Sequence, residues 1–228
     1  MKIIITFLLI SISSCDQPKI EIPNNYKETK IPRESSIELQ NLNYSDDISI
    51  KLEENLIVTY PTPRKSSSQL KFRDGLLIGY NHGEWGGELI YKTEKTEFVI
   101  KEGNIISIFE LNGKIYFLEG LAHLSTNYGE IYEVEYFNKK FNYKKKLELP
   151  DEPQVFQIVN GKIYIGTFEN FVIINNWKIE SLIKGFWESL YPNSLIIENE
   201  NHIFMGIRGG IVEIRPNEKQ LKFYTKNK

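Results

Sequence analysis

Histidines are few in this chain, three in all, and two of them fall in short glycine-flanked stretches. His82, Glu84 and Trp85 stand in residues 80–87, His123 in residues 120–128, and Arg208 in Gly206-Ile207-Arg208-Gly209-Gly210. Imidazole and carboxylate suit zinc and other transition ions, but His-x-Glu with one distant His matches no ligand spacing, so no metal is assigned. The structural alternative has His82 and His123 satisfying loop backbone groups and Trp85 closing over the hub of the fold, where Gly86 and Gly87 let the chain pass. The Arg208 guanidinium could fork onto a carboxylate or phosphate, but a salt bridge to Glu84 or Glu188 weighs more heavily. Asp151-Glu152 between Pro150 and Pro153 reads as turn chemistry. Ser125 lies two residues from His123 without a Gly-x-Ser-x-Gly elbow, and no phosphate-binding glycine loop precedes a helix. No catalytic residue and no cofactor is assigned.

Cys15 is the one cysteine of the chain, so it has no intramolecular disulfide partner. Ahead of it come a positive Met1-Lys2, an apolar run over residues 3–12, and Ser13-Ser14. That run is too short to span a bilayer and has the layout of an export signal. Ile12-Ser13-Ser14-Cys15 resembles the lipobox of bacterial lipoproteins. The resemblance implies cleavage before Cys15, a diacylglyceryl thioether on its sulfur and fatty acyl groups such as palmitate. Two or three acyl chains hold a protein stably to a membrane. Asp16 resembles the residue that retains some lipoproteins at the inner membrane, and the leaflet stays open.

The elements that must position the other residues come from composition and repeats. Alanine appears once, at Ala122, while there are 13 Tyr and 13 Phe, a balance that suits pleated sheets over helices. The formal charge of −2 becomes one unit more acidic when Lys2 leaves with the signal, which offers no footprint for nucleic acid. The basic run Lys139, Lys140, Lys144, Lys145, Lys146, interleaved with Phe141 and Tyr143, reads as a solvated strand edge. Residues 16–45 are polar and carry Pro18, Pro23 and Pro32, and they read as a flexible tether ahead of a domain over residues 46–228.

Within that domain an apolar strand launched from a turn recurs at Asp74-Gly75, Asn112-Gly113, Asn160-Gly161 and Asn201-His202, in steps of roughly 40 residues. A strand precedes each turn and two more follow, giving a unit of strands a, b, c and d. This all-β pattern resembles β-propeller proteins, and it implies four four-stranded blades. Residues 48–51 and 56–60 are left over to begin a fifth blade or close the ring. A β-sandwich with similar hairpins is the alternative. In a propeller the b–c loops and d–a connections share one face. That register collects His82, Glu84, Trp85, His123 and Arg208 with Trp187, Tyr191 and Asn193 as a candidate binding face, and places His202 on the far side.

The function expected is a membrane-anchored lipoprotein of the bacterial cell envelope. It would act as a monomeric, non-catalytic binding propeller for an envelope protein, peptide or glycan. The alternative is an envelope hydrolase or lyase acting on a sugar or lactone at the channel face.

Overall fold

The computed structural model describes residues 19–62 and 67–227, so Cys15 and the export signal expected from the sequence lie outside the described residues. The chain runs through β1 (Tyr26–Thr29), α1 (Ile37–Leu42), β2 (Ile48–Glu53) and β3 (Leu56–Pro61) before the repeats begin. Blade 1 is β4 (Ser67–Phe72), β5 (Gly75–Asn81), β6 (Gly87–Lys92) and β7 (Glu97–Glu102). Blade 2 is β8 (Ile105–Leu111), β9 (Lys114–His123), β10 (Thr126–Phe137) and β11 (Lys140–Leu149). Blade 3 is β12 (Pro153–Val159), β13 (Lys162–Thr167), β14 (Asn170–Asn175) and β15 (Lys178–Lys184). Blade 4 is β16 (Ser194–Asn199), β17 (His202–Ile207), β18 (Gly210–Arg215) and β19 (Gln220–Lys226). Each is an antiparallel meander in chain order, and the β2–β3 hairpin makes a small fifth unit.

Tight turns launch strand b as expected. Asn112-Gly113 and Asn160-Gly161 both take positive φ at the two turn positions, the geometry a two-residue hairpin requires. In two repeats the turn sits one residue away from the sequence alignment. Phe72 pairs with Gly75 across Arg73-Asp74, and Asn199 pairs with His202 across Glu200-Asn201. Gly75 and His202 therefore open strand b instead of closing the turn.

The sheets stack on one another around a ring, because each has two apolar faces to bury. Leu77 and Leu89 pack with Ile105, Ile108 and Phe117 between blades 1 and 2. Phe109, Leu118 and Ile131 pack with Ile163, Ile165 and Val172 between blades 2 and 3. Tyr164, Phe171 and Trp187 pack with Ile203, Met205 and Phe223 between blades 3 and 4. Ile196, Phe204 and Ile211 pack with Ile50 and Ile57 between blade 4 and the fifth unit. Four separate inter-blade cores exclude the β-sandwich, which has a single core between two facing sheets. The protein is a β-propeller of four full blades and one abbreviated unit.

Close approach between units depends on a glycine near the end of strand b. A Cβ at Gly79 would lie 2.3 Å from Ile105 Cγ2 of blade 2, and one at Gly206 would lie 2.5 Å from the Ile48 carbonyl oxygen of the fifth unit. Any side chain there would push neighbouring units apart.

The amino-terminal segment departs from the expected tether. Glu21 forms a parallel bridge with Leu56, β1 pairs with β19 to make blade 4 five-stranded, and Ile20 and Tyr26 are buried. Ser36 caps α1 by accepting from the Leu39 N–H at 3.2 Å, and Leu39 is buried against the core between blades 3 and 4. Residues 20–45 are a strap, because Ile20, Tyr26 and Leu39 place apolar surface at the positions that meet the sheets.

One end of the ring, here termed the mouth, is where the inner strands β2, β4, β8, β12 and β16 begin. Ser67 opposite Tyr80, Asp47 bridged to Arg208 and Thr62 N–H donating to the Asp47 carbonyl all mark this end. No helix among the described residues is long and apolar enough to cross a membrane.

Candidate functional site

The start of each inner strand brings polar side chains to the mouth. They line a cavity of about 700 Å³ that draws on all five units: Ser49, Tyr60 and Thr62; Ser67, Ser68, Gln69 and Asn81; Ile105 and Ser107; Gln154 and Phe156; and Asn193. Some hydroxyls are paired. Ser49 and Thr62 share a hydrogen bond of 2.9 Å, and Ser68 Oγ accepts from the Ile108 N–H while contacting Ser107 Oγ at 3.3 Å. Asn193 is fixed by its backbone N–H, which donates to the Gly206 carbonyl at 2.8 Å. Its side-chain Nδ2 is shielded from solvent and finds no partner among the described residues.

The rim holds the loop residues singled out in the sequence, in three groups. In the first, His82 stacks on Tyr80 at 5.9 Å between ring centroids. The buried Asn104 holds this loop, accepting from the His82 N–H and donating to the Gly83 carbonyl. In the second, Glu84 Oε2 meets His123 Nε2 at 2.9 Å, tying the blade 1 loop to blade 2. In the third, Arg208 donates from Nε and Nη2 to the two carboxylate oxygens of Asp47 at 2.8 and 3.2 Å and lies 4.6 Å over the Tyr191 ring. Asp47 is thus the partner of Arg208, not Glu84 or Glu188; the two-pronged geometry is the fork expected of a guanidinium.

Two tryptophans exchange the roles expected of them. Trp85 does not close over the hub: it stands 83% exposed at the end of a 3-10 turn spanning Gly83–Trp85. Trp187, assigned to the binding face, is fully buried and donates from Nε1 to the Thr167 carbonyl at 3.1 Å. It is core, and no ligand can reach it without unpacking blades 3 and 4. Residues 120–128 are mostly strand, with Thr126 paired to His123 across a two-residue turn that leaves Leu124 94% exposed. His202 lies at the far end, buried, between Glu198 and Glu213. There Glu213 also accepts from Arg215 and from Tyr224 Oη. Burial would raise the Glu213 carboxyl, but the Tyr224, Arg215 and His202 donors outweigh it and hold it below its usual range.

Asp151 and Glu152 are both buried, which turn chemistry alone does not require. Asp151 accepts from the Glu169 N–H and the Asn170 amide, each at 2.6 Å, and so joins blades 2 and 3. Glu152 accepts from the Gln154 amide. Burial, with the charge of Asp151 adding to it, pushes its carboxyl up to about 7. The cavity residues Ser67, Gln69, Ser107 and Gln154 were missed in the sequence, although polar residues opening otherwise apolar inner strands were a readable signal. Among the described residues no group of three or more His, Cys, Asp or Glu is placed to hold a metal ion.

No known protein family matches this chain, and no curated protein matches it in sequence. Solved structures resemble it in architecture. Virginiamycin B lyase from Staphylococcus aureus is 15% identical with a TM-score of 0.44, over 87% of this chain and 73% of that one. A complex of S. cerevisiae Dbp5 with Nup159 and Gle1 gives 7% and 0.30, over 75% and 58%. The N-terminal domain of Nup159 gives 8% and 0.27, over 74% and 57%. Likenesses at this level carry no argument about activity.

Proposed function

We propose that this protein is a lipid-anchored binding propeller of the bacterial envelope, which holds its channel mouth away from the membrane and presents it to an envelope partner. The observation that carries the reading is where the chain enters the fold. Glu21 pairs in parallel with Leu56, the first residue of β3 after its turn, so the chain arrives from the turn end and runs toward the mouth. Five strand steps separate Leu56 from Pro61 at the mouth, or about 17 Å at strand rise. Five residue steps link Cys15 to the buried Ile20, a reach of at most about 18 Å even when fully extended. Because the chain enters from the turn end on so short a link, an acylated Cys15 would hold that end nearest the bilayer and leave the mouth facing outward.

The mouth suits capture better than chemistry. Arg208 is occupied by Asp47, Glu84 and His123 face each other, and no activated nucleophile accompanies them among the described residues.

Cys15→Ser tests the anchor. The variant is expected to leave the membrane fraction or to accumulate as uncleaved precursor, because the thioether cannot form. Normal processing with unchanged membrane retention would overturn the reading.

A further inference from the structure

The mouth cavity has a chemistry that narrows its ligand. Its volume of about 700 Å³ lies within the range of small-molecule sites. Among the described residues its polar lining is hydroxyl and carboxamide: Ser49, Thr62, Ser67, Gln69, Gln154 and Asn193, with no charged side chain. Such groups both donate and accept, so they match a ligand whose own groups do both at close spacing. Among the described residues the lining offers no counter-charge for a phosphate, a carboxylate or an ammonium group. Beside them stand apolar and aromatic surfaces, Ile105, Phe156 and Tyr60, which suit the C–H face of a pyranose ring.

The geometry points to a neutral sugar unit of an envelope glycan as the ligand of this cavity, with Ser67, Gln69 and Gln154 exchanging hydrogen bonds with ring hydroxyls. This assignment rests on the binding reading above and gives it a substrate class. It concerns the mouth alone, so membrane fractionation and sugar binding can fail independently.

The test is binding of neutral mono- to tetrasaccharides to the mature full-length protein in detergent, by array and then by calorimetry, beside uronic acids, phosphorylated sugars and short peptides. At least one neutral saccharide is expected to bind, with Gln154→Leu weakening it tenfold or more. Ser67→Leu, at a separate point of the lining, should weaken it as well, with thermal unfolding of both variants checked in parallel. No neutral saccharide bound, an equal affinity in both variants, or a preference for the anionic sugars or the peptides would each overturn the assignment.

Discussion

Glu152 shows how one burial changes the meaning of a residue. Between two prolines in the sequence it is turn chemistry; in the fold it is enclosed beside Asp151 and Gln154, and its carboxyl rises from 4.5 to about 7. A carboxyl raised in the folded state favours folding while it is protonated. That contribution is fully present below the unfolded value near 4.5 and is lost as pH climbs through about 7. Glu152→Gln, which keeps an acceptor for Gln154 and removes the titration, should therefore stabilise the protein at pH 8 by on the order of 3 kcal/mol, and by much less at pH 5. Thermal unfolding at the two pH values checks this, and an equal difference at both would contradict it. The same enclosure explains which residues were legible beforehand. Arg208 and His123 carried recognisable chemistry and lie on the expected rim, but their partners Asp47 and Glu84 depend on which loops the ring brings together. Trp85 and Trp187 could not be told apart, since both are aromatic residues near glycine, and only the stacking of blades 3 and 4 decides that Trp187 is core.

Strands were the most legible elements. The expected strands at residues 48–51 and 56–60 lie within β2 and β3, where Ile48 and Ile50 alternate with polar residues as a half-buried strand requires. Residues 16–45 were read wrongly past residue 19, because polar and Pro-bearing sequence hides three apolar side chains spaced to reach different sheets. The strap contributes to the fold through Ile20, Tyr26 and the β1–β19 ladder. A chain beginning at Pro32 keeps α1 but loses these contacts. At about 1.5–3 kcal/mol for each large apolar side chain buried, it should be less stable by roughly 3–6 kcal/mol. Denaturant unfolding against the chain beginning at Pro18 measures the difference, and equal midpoints would show that the strap is dispensable.

At the scale of the whole molecule, the propeller sets an axis with two unlike ends. The mouth carries the cavity and the exposed Trp85; the other end carries the tight turns, including the β2–β3 turn beside which the chain enters. Repeat spacing made the ring legible, but the direction of entry follows from one parallel bridge that no local pattern encodes. The central claim is that the anchor and the mouth lie at opposite ends, and fluorescence quenching by nitroxide lipids tests it most directly. Asn55→Cys and Trp85→Cys variants of the acylated protein, each labelled with one fluorophore, are compared in liposomes. The account predicts strong quenching at position 55 and none at position 85; quenching at position 85, or equal quenching at both, would contradict it.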